Sequence, residues 1–84
     1  MSGIDYARLR SLPAQRLTRA LKNDGFAIDR QSGSHRLYRH PDGRRVTVSF
    51  HRSSDTFPPK TLKSMIEVQA QWDETDLRRL GLLK

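Results

Sequence analysis

Leu17, Ala20 and Leu21 recur at helical spacing, while Arg16, Arg19 and Lys22 fall largely on the other side. This pattern predicts a first helix over about Pro13 to Asp24. Proline suits the first helical position, because the N–H it lacks would be unpaired there, and Gly25 stands where a left-handed cap residue ends the helix. The period then drops to two. Phe26 to Gln31 alternates apolar and polar residues, as a half-buried first strand does. Ser32-Gly33-Ser34 breaks the pattern. A second strand is expected over His35 to His40. A third is expected over Arg45 to Phe50, with Val46, Val48 and Phe50 on one face. Between them Pro41-Asp42-Gly43 is a turn: proline presets the first φ, aspartate suits the second position and glycine takes a positive φ.

A polar loop, residues 51–59, ends in Pro58-Pro59, which cannot continue a central strand. A second helix is expected from near Lys60, with Leu62, Met65, Ile66 and Gln69 inward. Trp72-Asp73 interrupts it. Asp73, with Asp76 at capping-box spacing, then starts a short third helix whose inward residues are Leu77, Leu80 and Leu83. Residues 1–11 are weakly patterned, and Ile4 and Leu9 are their candidates for core contact. The order of elements predicts an α+β fold whose antiparallel sheet has one face under helices and the other open to solvent or a partner.

Hairpin register decides what that open face carries, since a slip of one residue exchanges the faces. A three-residue loop of Pro41, Asp42 and Gly43 pairs His40 with Arg44 and puts Tyr38 opposite Val46 on the core side. His35, Arg39, Arg45 and Thr47 then share the open face. A two- or four-residue loop instead puts Leu37 beneath Val48 and turns His35 to the core side. Pro-Asp-Gly matches a type I turn plus bulge, which favours the first register; Leu37 and Tyr38 are both acceptable core residues, so the second stays open.

Composition narrows the class. With 84 residues the chain is expected to be one domain, residues 1–84, with a small core. It has no cysteine, which excludes disulfides and thiolate metal sites and suits a reducing compartment. There is no apolar run long enough to span a bilayer, and the segment Met1-Ser2-Gly3-Ile4-Asp5-Tyr6 lacks the pattern of an export signal, so a cytoplasmic protein is expected. Lys and Arg number 16 against 9 acidic residues, a formal net charge of +7. That excess attracts polyanions, nucleic acid first among them, with an acidic protein or a membrane surface as other partners. The cations are uneven: Arg36, Arg39, Arg44, Arg45 and Arg52 cluster, whereas only Arg78, Arg79 and Lys84 lie beyond Lys63.

Gly33-Ser34-His35 is the sharpest chemical constellation. Glycine lets a phosphate approach backbone N–H groups, serine adds a donor, and histidine exchanges protons in the neutral range. Arginines nearby, with Arg36, Arg39 and Arg45 as candidates, could hold a phosphodiester and stabilise the charge that builds on it. This is a minimal set for cleaving RNA through its own 2′-hydroxyl, and it demands no metal or other cofactor. The plainer reading is an ordinary turn followed by a surface histidine. His40 reads as a solvated or turn-capping residue, and His51 as a structural one. The three histidines have no zinc spacing and no accompanying carboxylate pair. The scattered acidic residues argue against a two-metal nuclease. Trp72 and Phe57 could stack on bases, although packing is the better reading for Trp72.

Gly25-Phe26, Gly33-Ser34-His35, the run Tyr38-Arg39-His40-Pro41-Asp42-Gly43-Arg44-Arg45-Val46-Thr47-Val48, and Thr61-Leu62 opening a helix together resemble the HicA family of bacterial toxins. The resemblance runs from about Leu12 to Leu80. It implies a fold like the double-stranded RNA-binding domain, α-β-β-β-α with a short extra C-terminal helix. It also implies an mRNA interferase activity, inhibition by a HicB antitoxin, and a catalytic histidine after Gly-Ser, which falls on His35. Three features depart from the usual pattern: Ser49 stands where proline is common, Pro13 stands near a position that is often glycine, and Val68 to Trp72 is longer than the usual link. Two rival readings need no catalysis. A non-catalytic RNA-binding module would bind RNA with steep salt dependence and leave it intact. A protein-binding domain would turn its basic face to an acidic partner.

Overall fold

The structure, a computed structural model, describes residues 4–83. Met1 to Gly3, part of the segment read for an export signal, lie outside the described residues, as does Lys84. Helix α1 spans Ala14–Asn23 and is followed by strands β1 (Ala27–Ser32), β2 (His35–Arg39) and β3 (Arg45–Ser49). Helix α2 (Pro59–Lys63) continues directly into a π-helical segment, Ser64–Gln69, and α3 (Glu74–Arg79) closes the order. The three strands form one antiparallel sheet in the order β1-β2-β3. This is the expected α+β arrangement, with the short C-terminal helix. Among the described residues no helix is long and apolar enough to cross a membrane.

Pro13 lies one place outside α1. Its ψ of 156° is extended, so it caps the helix and does not begin it. The first helical N–H groups are satisfied from afar: Ala14 donates to the Asp55 carbonyl at 2.8 Å and Gln15 to that of Ser53 at 2.9 Å. The polar loop after β3 therefore closes the start of α1. Gly25, at φ +104°, ends the helix as its position predicts.

Leu17 and Leu21 of α1, Val46 and Val48 of β3, and Leu62, Ile66 and Leu77 of the C-terminal helices form the most deeply buried part of the core. Leu9, from the weakly patterned N-terminal stretch, joins them, and Ile4 packs against their rim. Tyr38 is the buried residue of β2. The hairpin register is the one with Tyr38 opposite Val46 and Arg39 opposite Arg45. The His40 N–H donates to the Arg44 carbonyl at 2.9 Å, and Gly43 has φ +100°, as a type I turn with a glycine bulge requires.

Three local expectations change. First, β1 is exposed along its whole length, not half-buried. It is the edge strand farthest from the helices packed on β3, so Phe26, just before it, supplies the buried contact while Ile28 stays 46% exposed. Second, Gln69 does not enter the core. Its Oε1 accepts the Thr47 N–H at 2.8 Å and covers the outer edge of β3. The wide π-turn brings it there, with the Ala70 N–H bonded to the Met65 carbonyl five residues back. Third, Leu82 is the buried leucine after α3, with Leu80 and Leu83 only partly buried, because Gly81 turns the chain at φ +79°. The capping box of Asp73 and Asp76 forms as its spacing predicts.

Candidate active site

Gly33 and Ser34 are the two loop residues of the β1–β2 hairpin, with Ser32 and His35 paired on either side. Gly33 takes φ +59° at the first loop position, which a two-residue hairpin turn favours. An added Cβ at Gly33 would meet nothing within 4 Å, so the turn backbone is open to approach. The break between the strands is thus itself the turn that presents His35.

Alternation along β2 places His35, Leu37 and Arg39 on one face and Arg36 and Tyr38 on the other. Tyr38 is buried, so the His35 face is the one without helices. His35 and Arg39 are exposed on it. Arg45, Thr47 and Ser49 of β3 lie opposite Arg39, Leu37 and His35 respectively, and all three are exposed. The structure therefore brings together Gly33, Ser34, His35, Arg39 and Arg45 at one turn and on one sheet face. Ser49 joins them. It stands opposite His35, and its hydroxyl lies 3.4 Å from that of Ser34. Nothing in the strand pattern marks Ser49 apart from its register with His35.

Arg36 is placed differently. Its Nη1 donates to the carbonyls of Ser34 at 3.0 Å and Phe50 at 2.9 Å, and its guanidinium carbon stacks 3.8 Å from the Phe50 ring centroid. The Phe50 N–H also donates to the Ser34 carbonyl at 3.1 Å. Arg36 thus ties the end of β3 to the turn that carries His35, from the opposite face of the sheet.

The other histidines have separate roles. His40 is held by the far turn: its Nε2 lies 2.8 Å from the Asp24 carbonyl, and its Nδ1 lies 3.1 Å from the Asp42 N–H and 3.0 Å from the Asp42 carboxylate. It also packs edge-on against Phe26. His51 is exposed beyond β3, at the same end of the sheet as His35. Its backbone N–H, like that of Arg52, donates to Asp55 Oδ2 at 3.0 Å.

Asp24 gathers the opposite end. Its carboxylate accepts from Trp72 Nε1 at 2.8 Å and Arg79 Nη2 at 2.9 Å, with Arg44 Nη2 at 3.4 Å. Burial opposes ionisation of Asp24, but the Trp72 and Arg79 hydrogen bonds outweigh it and hold the carboxyl below its ordinary range. Trp72 and Phe57 are buried, so neither offers a ring to a base. Among the described residues no group of three or more histidine, aspartate or glutamate side chains is arranged to hold a metal ion.

No curated protein matches the chain significantly. The family model described as the HicA toxin of bacterial toxin–antitoxin systems matches residues 14–72, from the start of α1 through the sheet to Trp72. That span includes the Gly33-Ser34-His35 turn and the face it opens onto, and the chain belongs to the HicA family, the toxins of toxin–antitoxin systems.

Proposed function

We propose that this toxin is an endoribonuclease that cleaves mRNA without a metal, using His35 as general acid/base, and that a HicB-type antitoxin neutralises it. The observation that carries the reading is the position of His35: exposed, directly after an open Gly33-Ser34 turn, and on the same uncovered face as Arg39 and Arg45. In such a cleavage the substrate's 2′-oxygen bonds to phosphorus as the bond from phosphorus to the 5′-oxygen breaks. A proton leaves the 2′-hydroxyl and one reaches the 5′-oxygen, and an imidazole can serve either transfer near neutral pH. The Gly33 and Ser34 backbone and the Ser34 hydroxyl position the phosphate. Arg39 and Arg45, farther along the same face, supply fixed positive charge that holds the RNA's phosphate backbone. Arg36 acts on the same turn by holding the Ser34 carbonyl.

The test is incubation of purified toxin with a long RNA in chelator, beside a folded His35→Ala variant. Fragmentation by the wild type alone, suppressed by added HicB-type antitoxin, is expected. Equal fragmentation by His35→Ala would overturn the role of His35. Intact RNA with a mobility shift in both samples would leave a non-catalytic RNA-binding module.

A further inference from the structure

We propose that Arg30, carried onto the His35 face by a β-bulge at Asp29, completes with Arg39 and Arg45 a cationic patch that holds the backbone of single-stranded RNA. The proposal rests on the reading of this protein as an RNA-cleaving toxin and names the strand state of its substrate and a residue that binds it.

Ile28 pairs with Tyr38, so regular pairing would put Asp29 opposite Leu37 and Arg30 opposite Arg36. The ladder instead shifts between Ile28 and Arg30, and Arg30 pairs with Leu37. Asp29 becomes the extra residue of the bulge. Leu37 shares its face with His35 and Arg39, so Arg30 arrives on that face as well. Asp29 and Arg30 then both stand opposite Leu37, so the bulge sets a cation beside the carboxylate that an unbroken ladder would place there alone.

Three rows then cross the uncovered face: Ser32, His35 and Ser49; Arg30, Leu37 and Thr47; Ala27, Arg39 and Arg45. Among the described residues, no hydrogen bond or ion pair engages the guanidinium groups of Arg30, Arg39 and Arg45. Arg36, Arg44 and Arg79, by contrast, are committed to protein oxygens. Unpaired cations on an exposed surface are the ones free to replace counterions along a phosphate chain. Rows two residues apart lie about 7 Å from one another, and three strands make a surface about 10 Å wide. A single strand can lie along such a face and step from the Arg39–Arg45 row past Arg30 to His35. Duplex recognition instead spans successive grooves and the phosphates between them, a footprint wider than this face.

The test uses the His35→Ala background, so that binding is read without cleavage. Anisotropy of a labelled single-stranded RNA is titrated with protein over a range of salt, beside a hairpin duplex of equal length. Adding Arg30→Gln is expected to weaken single-strand binding about fivefold near 0.1 M salt and to reduce the log–log salt slope by roughly 0.7. Arg30→Lys should retain most of the affinity, and Arg19→Gln, an equal charge change on α1, should leave it unchanged. Parent-like binding by Arg30→Gln, or an equal loss from Arg19→Gln, would overturn the assignment of Arg30. An equal loss for the duplex would overturn the single-strand assignment. RNA that wild-type protein leaves intact, with binding still weakened by Arg30→Gln, would sink the cleavage reading alone.

Discussion

His35 and Ser49 face each other across the β2–β3 ladder, and the Ser49 hydroxyl reaches to 3.4 Å from that of Ser34. Directly opposed residues on one sheet face have Cβ atoms within about 5.5 Å, so a group held by His35 is also within reach of Ser49. Ser49→Ala is expected to slow single-turnover RNA cleavage by about twofold to just over tenfold, the effect of losing one hydrogen bond worth roughly 0.5–1.5 kcal/mol. The melting temperature should not move, because the side chain is exposed. Unchanged cleavage by Ser49→Ala would remove this hydroxyl from the site.

Arg36 is expected to behave as a positioning residue and not as a phosphate ligand. Arg36→Gln loses two carbonyl hydrogen bonds and the stack on Phe50, which should lower stability by about 2 kcal/mol and slow cleavage. The salt slope of RNA binding should stay that of the parent, whereas Arg39→Gln should reduce it by roughly 0.7. A reduced slope in folded Arg36→Gln would show that its charge meets phosphate.

Asp24 links the end of α1 to Trp72, the far hairpin and α3. Asp24→Ala leaves the Trp72 N–H and the Arg79 guanidinium without their carboxylate and is expected to cost about 3 kcal/mol in urea unfolding. Because the folded-state carboxyl is held below its ordinary range, its contribution is complete above about pH 4 and is lost as pH falls through the lower folded value. Asp76 is shifted the same way, chiefly by the Asp73 N–H. Stability should therefore decline in acid, and Asp24→Asn should make that decline shallower. An identical pH profile in Asp24→Asn would count against this linkage.

Gly25 is constrained by close approach as well as by conformation. An added Cβ would lie 2.8 Å from His40 Nε2, the atom that meets the Asp24 carbonyl, and φ at Gly25 is +104°. Gly25→Ala should destabilise the protein by about 2 kcal/mol, measured by thermal or urea unfolding, through backbone strain and displacement of His40. Gly33→Ala, with open space and φ +59°, should cost less.

Short-range signals made much of this molecule legible in sequence. The apolar spacing of Leu17, Ala20 and Leu21, the alternation of Val46 and Val48, the Pro41-Asp42-Gly43 turn and the Asp73–Asp76 cap each depend on neighbours a few residues apart, and each forms. The same locality exposes the Gly33-Ser34-His35 turn. What the chain could not show by itself depends on partners far away in sequence. Tyr38 and Leu37 are both acceptable core residues, and the Pro41-Asp42-Gly43 turn only favours Tyr38; the Tyr38–Val46 pairing decides it and places Arg36 on one face and His35 on the other. The amphipathic pattern after Phe26 reads as half-buried, yet β1 is an edge strand, and only the packing of the helices on β3 decides that. The bulge at Asp29, the joining of Ser49 to His35 and the meeting of Arg44, Trp72 and Arg79 at Asp24 arise the same way. Register and long-range hydrogen bonds are set by which surfaces meet, and residue identity along the chain carries no direct record of that meeting.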